Sequence, residues 1–161
     1  MIVGFKLKKI LAETLVDASS QEKNKDIRIT KVNTKTDIID ISEQKIEIKD
    51  QEALDVGFSF QIDYEPKIAK VVFEGRIISL VEKNQAKKII DDWKKKQLPK
   101  EFRLEVMNTV LSRCSIKALE IEEDIGLPPH FPLPRFQVQE KGQENKAQEK
   151  PKDNSNTRYA G

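Results

Sequence analysis

His130 and Cys114 are the chain's one histidine and one cysteine, and they are the first places to look for acid–base or nucleophilic chemistry. Neither has the company such chemistry requires. His130 stands in the run Leu127-Pro128-Pro129-His130-Phe131-Pro132-Leu133-Pro134-Arg135-Phe136 with no set of metal-ligating residues around it, so it is expected as a solvent-facing loop side chain. Cys114 falls on an apolar helical stripe, where a thiol behaves as a small hydrophobe, and as a lone cysteine it cannot form an internal disulfide. Glu120, Glu122, Glu123 and Asp124 supply carboxylates for a cation or an acid–base pair, but at these spacings they spread around a helix and are expected as a solvated face. Lys94, Lys95, Lys96 and Lys100 beside Trp93 have the makings of a nucleic-acid patch with a stacking aromatic. Trp93, however, shares an apolar stripe with Ile89 and Ile90, which assigns it to a core. With only six scattered glycines there is no phosphate-cradling loop, and the expectation is a protein without catalytic residues, metal or cofactor.

The elements that carry these residues follow from hydrophobic periodicity. The first half alternates with period two. Val3, Phe5, Leu7 and Leu11 share one strand face opposite Lys6 and Lys8, Ile27 and Ile29 resume the pattern after a polar turn, and Ile46 and Ile48 alternate with charged residues. The cleanest strand spans residues 54–64, with Leu54, Val56, Phe58, Phe60, Ile62 and Tyr64 facing one way and Asp55, Gly57, Ser59, Gln61 and Asp63 the other. Glu65-Pro66-Lys67 marks a turn, because proline cannot donate to a ladder, and Ala69, Val71, Phe73 and Ile77 continue the apolar face. Short connections favour an antiparallel meander of four or five strands.

Near Asn84 the period changes to 3.6. Ala86, Ile89, Ile90 and Trp93 line a short helix that closes on lysines, which suit the negative end of a helix dipole. Proline at position 99 restarts the chain into a long helix whose stripe is Phe102, Val106, Val110, Cys114, Ala118, Ile121 and Ile125, widened by Met107 and Leu111. Gly126 stops it, and Pro128-Pro129 forbids resumption. The fold class is therefore α+β, a four- to five-stranded antiparallel meander followed by a short and a long amphipathic helix. The domain is expected over residues 1–136, with a disordered polar tail over 137–161 that has too few apolar residues to order itself.

Composition narrows the function classes. Basic and acidic residues nearly balance, 29 against 27, so the net charge of +2 gives no argument for an obligatory polyanionic partner. No apolar run reaches the roughly 18 residues of a membrane span. The N-terminal charges follow a very short apolar stretch, unlike a signal peptide, and a cytoplasmic protein is expected. The proline-rich strap after the long helix is more apolar than an exit loop needs. It either folds back over the sheet or borders a groove for extended apolar peptides.

The order of these elements, together with Pro99, Arg103-Leu104-Glu105, Ser112-Arg113 and the strap, resembles the SecB family of export chaperones, especially the SecB-like proteins of archaea and of toxin–antitoxin systems. The resemblance implies a homotetramer, a dimer of dimers, that holds unfolded or presecretory polypeptides in apolar grooves without nucleotide or metal. It further implies that Phe58, Phe60, Leu127, Phe131, Leu133 and Phe136 border the client groove. The acidic surface that would dock a translocation ATPase has no counterpart in a +2 chain, so client holding is expected more than delivery to one translocase. Two other readings stay open: a structural or adaptor subunit whose apolar surfaces are consumed by oligomerisation, and an RNA-binding protein using the lysine-rich helix end.

Overall fold

The strongest alternation in the chain becomes its most deeply buried strand. In the computed structural model, which describes residues 1–15 and 28–134 apart from the side chains of 46–48, Leu54, Val56, Phe58, Phe60, Ile62 and Tyr64 are each 0% exposed. Ile27, the side chains of Ile46 and Ile48, Phe136 and the tail over 137–161 lie outside the described residues. The elements are β1 (Ile2–Thr14), β2 (Lys31–Ile48), β3 (Gln51–Glu65), β4 (Ala69–Glu82), α1 (Lys83–Lys94) and α2 (Lys100–Asp124). They make a four-stranded antiparallel sheet followed by two helices, an α+β fold.

The sheet differs from a plain meander in one place. Strands β2, β3 and β4 follow one another in space, but β1 lies beside β4, giving the order β1-β4-β3-β2. This is a Greek-key arrangement, and it makes β1 and β2 the two sheet edges. The long apolar rows of β3 and β4 thereby gain hydrogen-bonded partner strands on both sides.

Two register shifts re-phase β1. Ile2 pairs with Ser79 but Gly4 with Ile78, and Leu7 pairs with Gly75 but Lys9 with Glu74. An extra residue at a bulge moves every following side chain to the opposite face. As a result Ile2, Phe5, Leu7 and Ala12 pack against the core, whereas Val3 is half exposed and Leu11 pairs with Val72 on the other face, so the single face expected for Val3, Phe5, Leu7 and Leu11 is broken. The bulge between Ile38 and Asp40 does the same in β2 and brings Asp40 opposite Gly57. There Arg76 Nη1 reaches both Asp40 oxygens at 2.6 and 2.9 Å while its Nε donates to Asp55 at 2.7 Å. This bridge ties the edge strand β2 across β3 to β4 on the open face. Gly75 has its own close approach: a Cβ there would meet the Lys6 carbonyl oxygen and lie 2.7 Å from Phe58 Cζ. Its bare backbone lets the Phe5 and Phe58 rings stack across β4 with centroids 5.1 Å apart.

Both helices share one core with the sheet. The buried residues of α2 are Phe102, Val106, Val110, Cys114, Ala118 and Glu122, a strict repeat of four. A spacing of four overshoots the 3.6-residue turn, so the buried line advances about 40° round the helix at each step. That drift lets one long helix stay in contact as it crosses a twisted sheet. It also leaves Leu104, Leu111 and Ile116 exposed on the remaining surface. The helix stops where expected, at Gly126 with φ +70°, a conformation that costs glycine little.

Burial pushes the Cys114 thiol up to about 12 from its ordinary 9.0. Because the folded value is raised, the folded state holds the proton more tightly; the associated stability is complete below pH 9 and is lost as pH rises from there towards 12. The thiol is expected to stay unlabelled by a maleimide at pH 8 until denaturant unfolds the protein, and the melting temperature to fall as pH is raised above 9. Rapid labelling of the native protein would contradict the buried stripe.

Candidate functional site

The edge strand β2, the outward flank of α2 and the strap enclose an elongated groove. Thr34, Thr36 and Ile38 follow one another along the helix-facing side of β2, as their pairing with Ile62, Phe60 and Phe58 requires. At one end of the groove Thr34, Asn108, Leu111, Ser112, Ser115, His130 and Phe131 line a hollow of about 470 Å³. At the other, Thr36, Asp37 and Ile38 face Trp93, Lys94, Lys96, Leu98, Arg103 and Met107 around a hollow of about 570 Å³. Because Thr34 and Thr36 are neighbours on one face of β2, and Met107 and Asn108 adjoin on α2, the two hollows lie one after the other along the same strand and helix. The stretch of α2 from Arg103 to Ser115 is twelve steps, about 18 Å at helical rise, enough for five or six residues of extended chain.

A buried polar cluster fixes the strap that forms one wall. Glu122 is the last member of the α2 repeat and is 1% exposed, so its carboxylate must find partners indoors. The Tyr64 hydroxyl donates to Glu122 Oε1 at 2.7 Å and lies 3.0 Å from the Pro128 carbonyl oxygen. The His130 backbone N–H donates to Oε2 at 3.3 Å, and His130 Nδ1 stands 2.7 Å from Oε1. Burial first, and then the Glu122 carboxylate, hold the Tyr64 phenol protonated well above its ordinary 10.0. The imidazole, its side chain only 3% exposed, meets Phe60 edge-on at 6.3 Å and Phe131 at 4.7 Å.

This cluster corrects two sequence expectations. The His130 side chain is not solvent-facing and Glu122 is not part of a solvated face; the two are buried as partners through Nδ1 and Oε1, while His130 Nε2 is buried without a hydrogen-bond partner among the described residues. The expected stripe runs on through Ile121 and Ile125, yet the step of four from Ala118 lands on Glu122, with Ile121 only partly buried beside it. Histidine, glutamate and tyrosine are acid–base residue types, but here Glu122 and Tyr64 are buried and, with His130 at the edge of the hollow, they tie α2, β3 and the strap together. Among the described residues no group of three or more His, Cys, Asp and Glu is placed to hold a metal ion, and no helix is long and apolar enough to cross a membrane.

The residues expected to border a client groove divide. Phe58 and Phe60 line neither hollow: they lie on the helix-covered side of β3 and are fully buried in the core that includes the α2 stripe. Leu127 is partly buried against the core. Phe131 and Leu133 remain 40% and 46% exposed, and Phe131 lines the groove. Thr34, Thr36, Ile38 and Arg103 were not anticipated as lining residues. The threonines alternate with Lys35 and Asp37, a pattern that marks a strand, but only the tertiary pairing makes that strand an edge.

Fold and groove together define an α+β domain with an elongated cleft along one edge strand. No family model matches the chain, and no curated protein matches it. Among solved structures, the fold is similar to that of a Mycobacterium tuberculosis SecB-like chaperone in complex with a ChAD peptide from the HigA1 antitoxin, at 9% identity and a TM-score of 0.41, over 85% of this chain and 90% of that one.

Proposed function

We propose that this protein is a SecB-like holdase that binds extended apolar segments of unfolded or presecretory polypeptides. The observation that carries this reading is the groove between β2, α2 and the strap, with Leu111 and Phe131 at one end and Ile38, Leu98 and Met107 at the other. A cleft beside a free sheet edge suits extended chain, because backbone groups of β2 can pair with any sequence while the apolar lining takes side chains. The reading needs no cofactor and goes with a cytoplasmic location. Assembly into a dimer of dimers belongs to the same proposal: β1 and β2 are both edges, with Val3, Ile10 and Ile39 each half exposed along them.

The test pairs stability with binding on one variant, Phe131→Ser/Leu133→Ser. Both side chains are already 40 to 46% exposed, so their loss is expected to lower the melting temperature by only about 3 °C. Affinity for a fluorescent unfolded client is expected to fall about tenfold, with weaker suppression of its aggregation. A collapsed melting temperature with unchanged binding per folded molecule would show the strap to be core alone. Light scattering on the wild type reports the assembly, and a clean monomer at micromolar concentration would count against the tetramer. An oligomer that suppresses no aggregation would favour a structural subunit whose apolar edges are consumed by self-association.

A further inference from the structure

The groove is electrically lopsided, and its two ends call for different side chains in whatever occupies it. The end at Phe131 is lined by hydroxyls, one amide, leucine, phenylalanine and a histidine held by Glu122. The end at Trp93 collects Lys94, Lys96 and Arg103 against one acid, Asp37, which is already paired with Lys35 at 2.9 Å. Lys94 lies 3.7 Å from Asp91, whereas Lys96 and Arg103 have no acidic partner within ion-pair distance among the described residues.

Local structure accounts for part of this charge. Lysines in and after the last turn of α1 complement the negative end of its dipole, and Lys96 takes the φ of 59° that ends the helix. Arg103 has no such reason. It sits in the opening turns of α2, where a cation opposes the helix dipole, and the N-cap there makes no side-chain hydrogen bond. An unpaired guanidinium in an electrostatically unfavourable place, facing a cleft, fits a ligand that brings the negative charge.

Resting on the peptide-groove reading, we propose that the preferred clients are extended segments in which a large apolar residue is followed or preceded, three or four positions away, by one or two carboxylates. The apolar residue occupies the end between Leu111 and Phe131, and the carboxylates meet Arg103 and Lys96. Eight helical steps separate Leu111 from Arg103, about 12 Å, which three or four extended residues span. A polypeptide fits better than a nucleic acid because Ile38, Leu98 and Met107 share the basic end, Trp93 packs partly into the core instead of standing free to stack, and the net charge is only +2.

The experiment measures fluorescence anisotropy of the full chain with labelled eight-residue peptides carrying a leucine–phenylalanine pair and, three positions on, two glutamates, two glutamines or two lysines. At low ionic strength the glutamate peptide is expected to bind about tenfold tighter than the glutamine peptide, and the lysine peptide weakest; at 0.5 M salt the gap should shrink to about twofold. Lys96→Gln/Arg103→Gln, at exposed positions, should abolish the gap between the glutamate and glutamine peptides while leaving the melting temperature unchanged. Equal binding of all three peptides overturns this inference and leaves the groove reading standing. Binding of none overturns both. A labelled single-stranded RNA that binds at the same residues more tightly than the glutamate peptide, with a steeper salt dependence, overturns it in favour of a nucleic-acid site.

Discussion

Phe60→Ala is expected to cost about 4 kcal/mol of folding stability and to leave client affinity per folded molecule unchanged. The ring is completely buried, stacks on Phe73 at 6.1 Å, and carries the edge of His130 at 6.3 Å. Truncation therefore opens a cavity at the junction of β3, β4 and the strap. A loss of that size in a chain of this length lowers the melting temperature by about 10 to 15 °C. Thermal denaturation and peptide anisotropy on the same preparation check it. A variant that melts normally but binds clients poorly would mean that the aromatic row of β3 is reachable from solution, contrary to its packing beneath α2.

Glu122→Ala is the second large effect, expected at about 3 kcal/mol. It takes the carboxylate from three groups at once: the Tyr64 hydroxyl keeps the Pro128 carbonyl oxygen 3.0 Å away, while the His130 backbone N–H and His130 Nδ1 are left with no other partner among the described residues. Each buried donor left unpaired costs about 1 kcal/mol or more. Glu122→Gln, which keeps one oxygen for Tyr64 and the side-chain volume, should be clearly milder, and Tyr64→Phe milder still because the hydroxyl leaves with its need. Since the strap is pinned by this cluster, limited proteolysis is expected to cut residues 127–134 in Glu122→Ala faster than in wild type, and client affinity to fall with the loss of that wall. A Glu122→Ala protein within 0.5 kcal/mol of wild type, with a protected strap, would show that Leu127 alone holds the segment. The order of the three substitutions separates a latch from simple loss of volume.

Much of the fold was legible because it is local. The run from Leu54 to Tyr64 alternates so strictly that one face had to be buried, and it is. The change of period near Asn84, Pro99 before the second helix and Gly126 after it placed α1 and α2, since helix starts and stops depend on neighbours within a turn. Phe131 and Leu133 stood out by being more apolar than an exit segment needs, and the structure leaves both partly exposed.

What tertiary structure alone decided involves partners distant along the chain. The alternation of β1 was readable, but its two bulges exist only against β4, so Leu11 could not be assigned to its face from sequence. The pairing of β1 with β4 made β2 an edge and thereby opened the groove. Glu122 and His130 each looked like a surface residue when taken singly, because a buried charge or imidazole is costly until its partner is supplied. Only the fold brings Tyr64, 58 residues away, and His130, 8 residues away, onto one carboxylate, and those shared hydrogen bonds let three polar side chains be buried together.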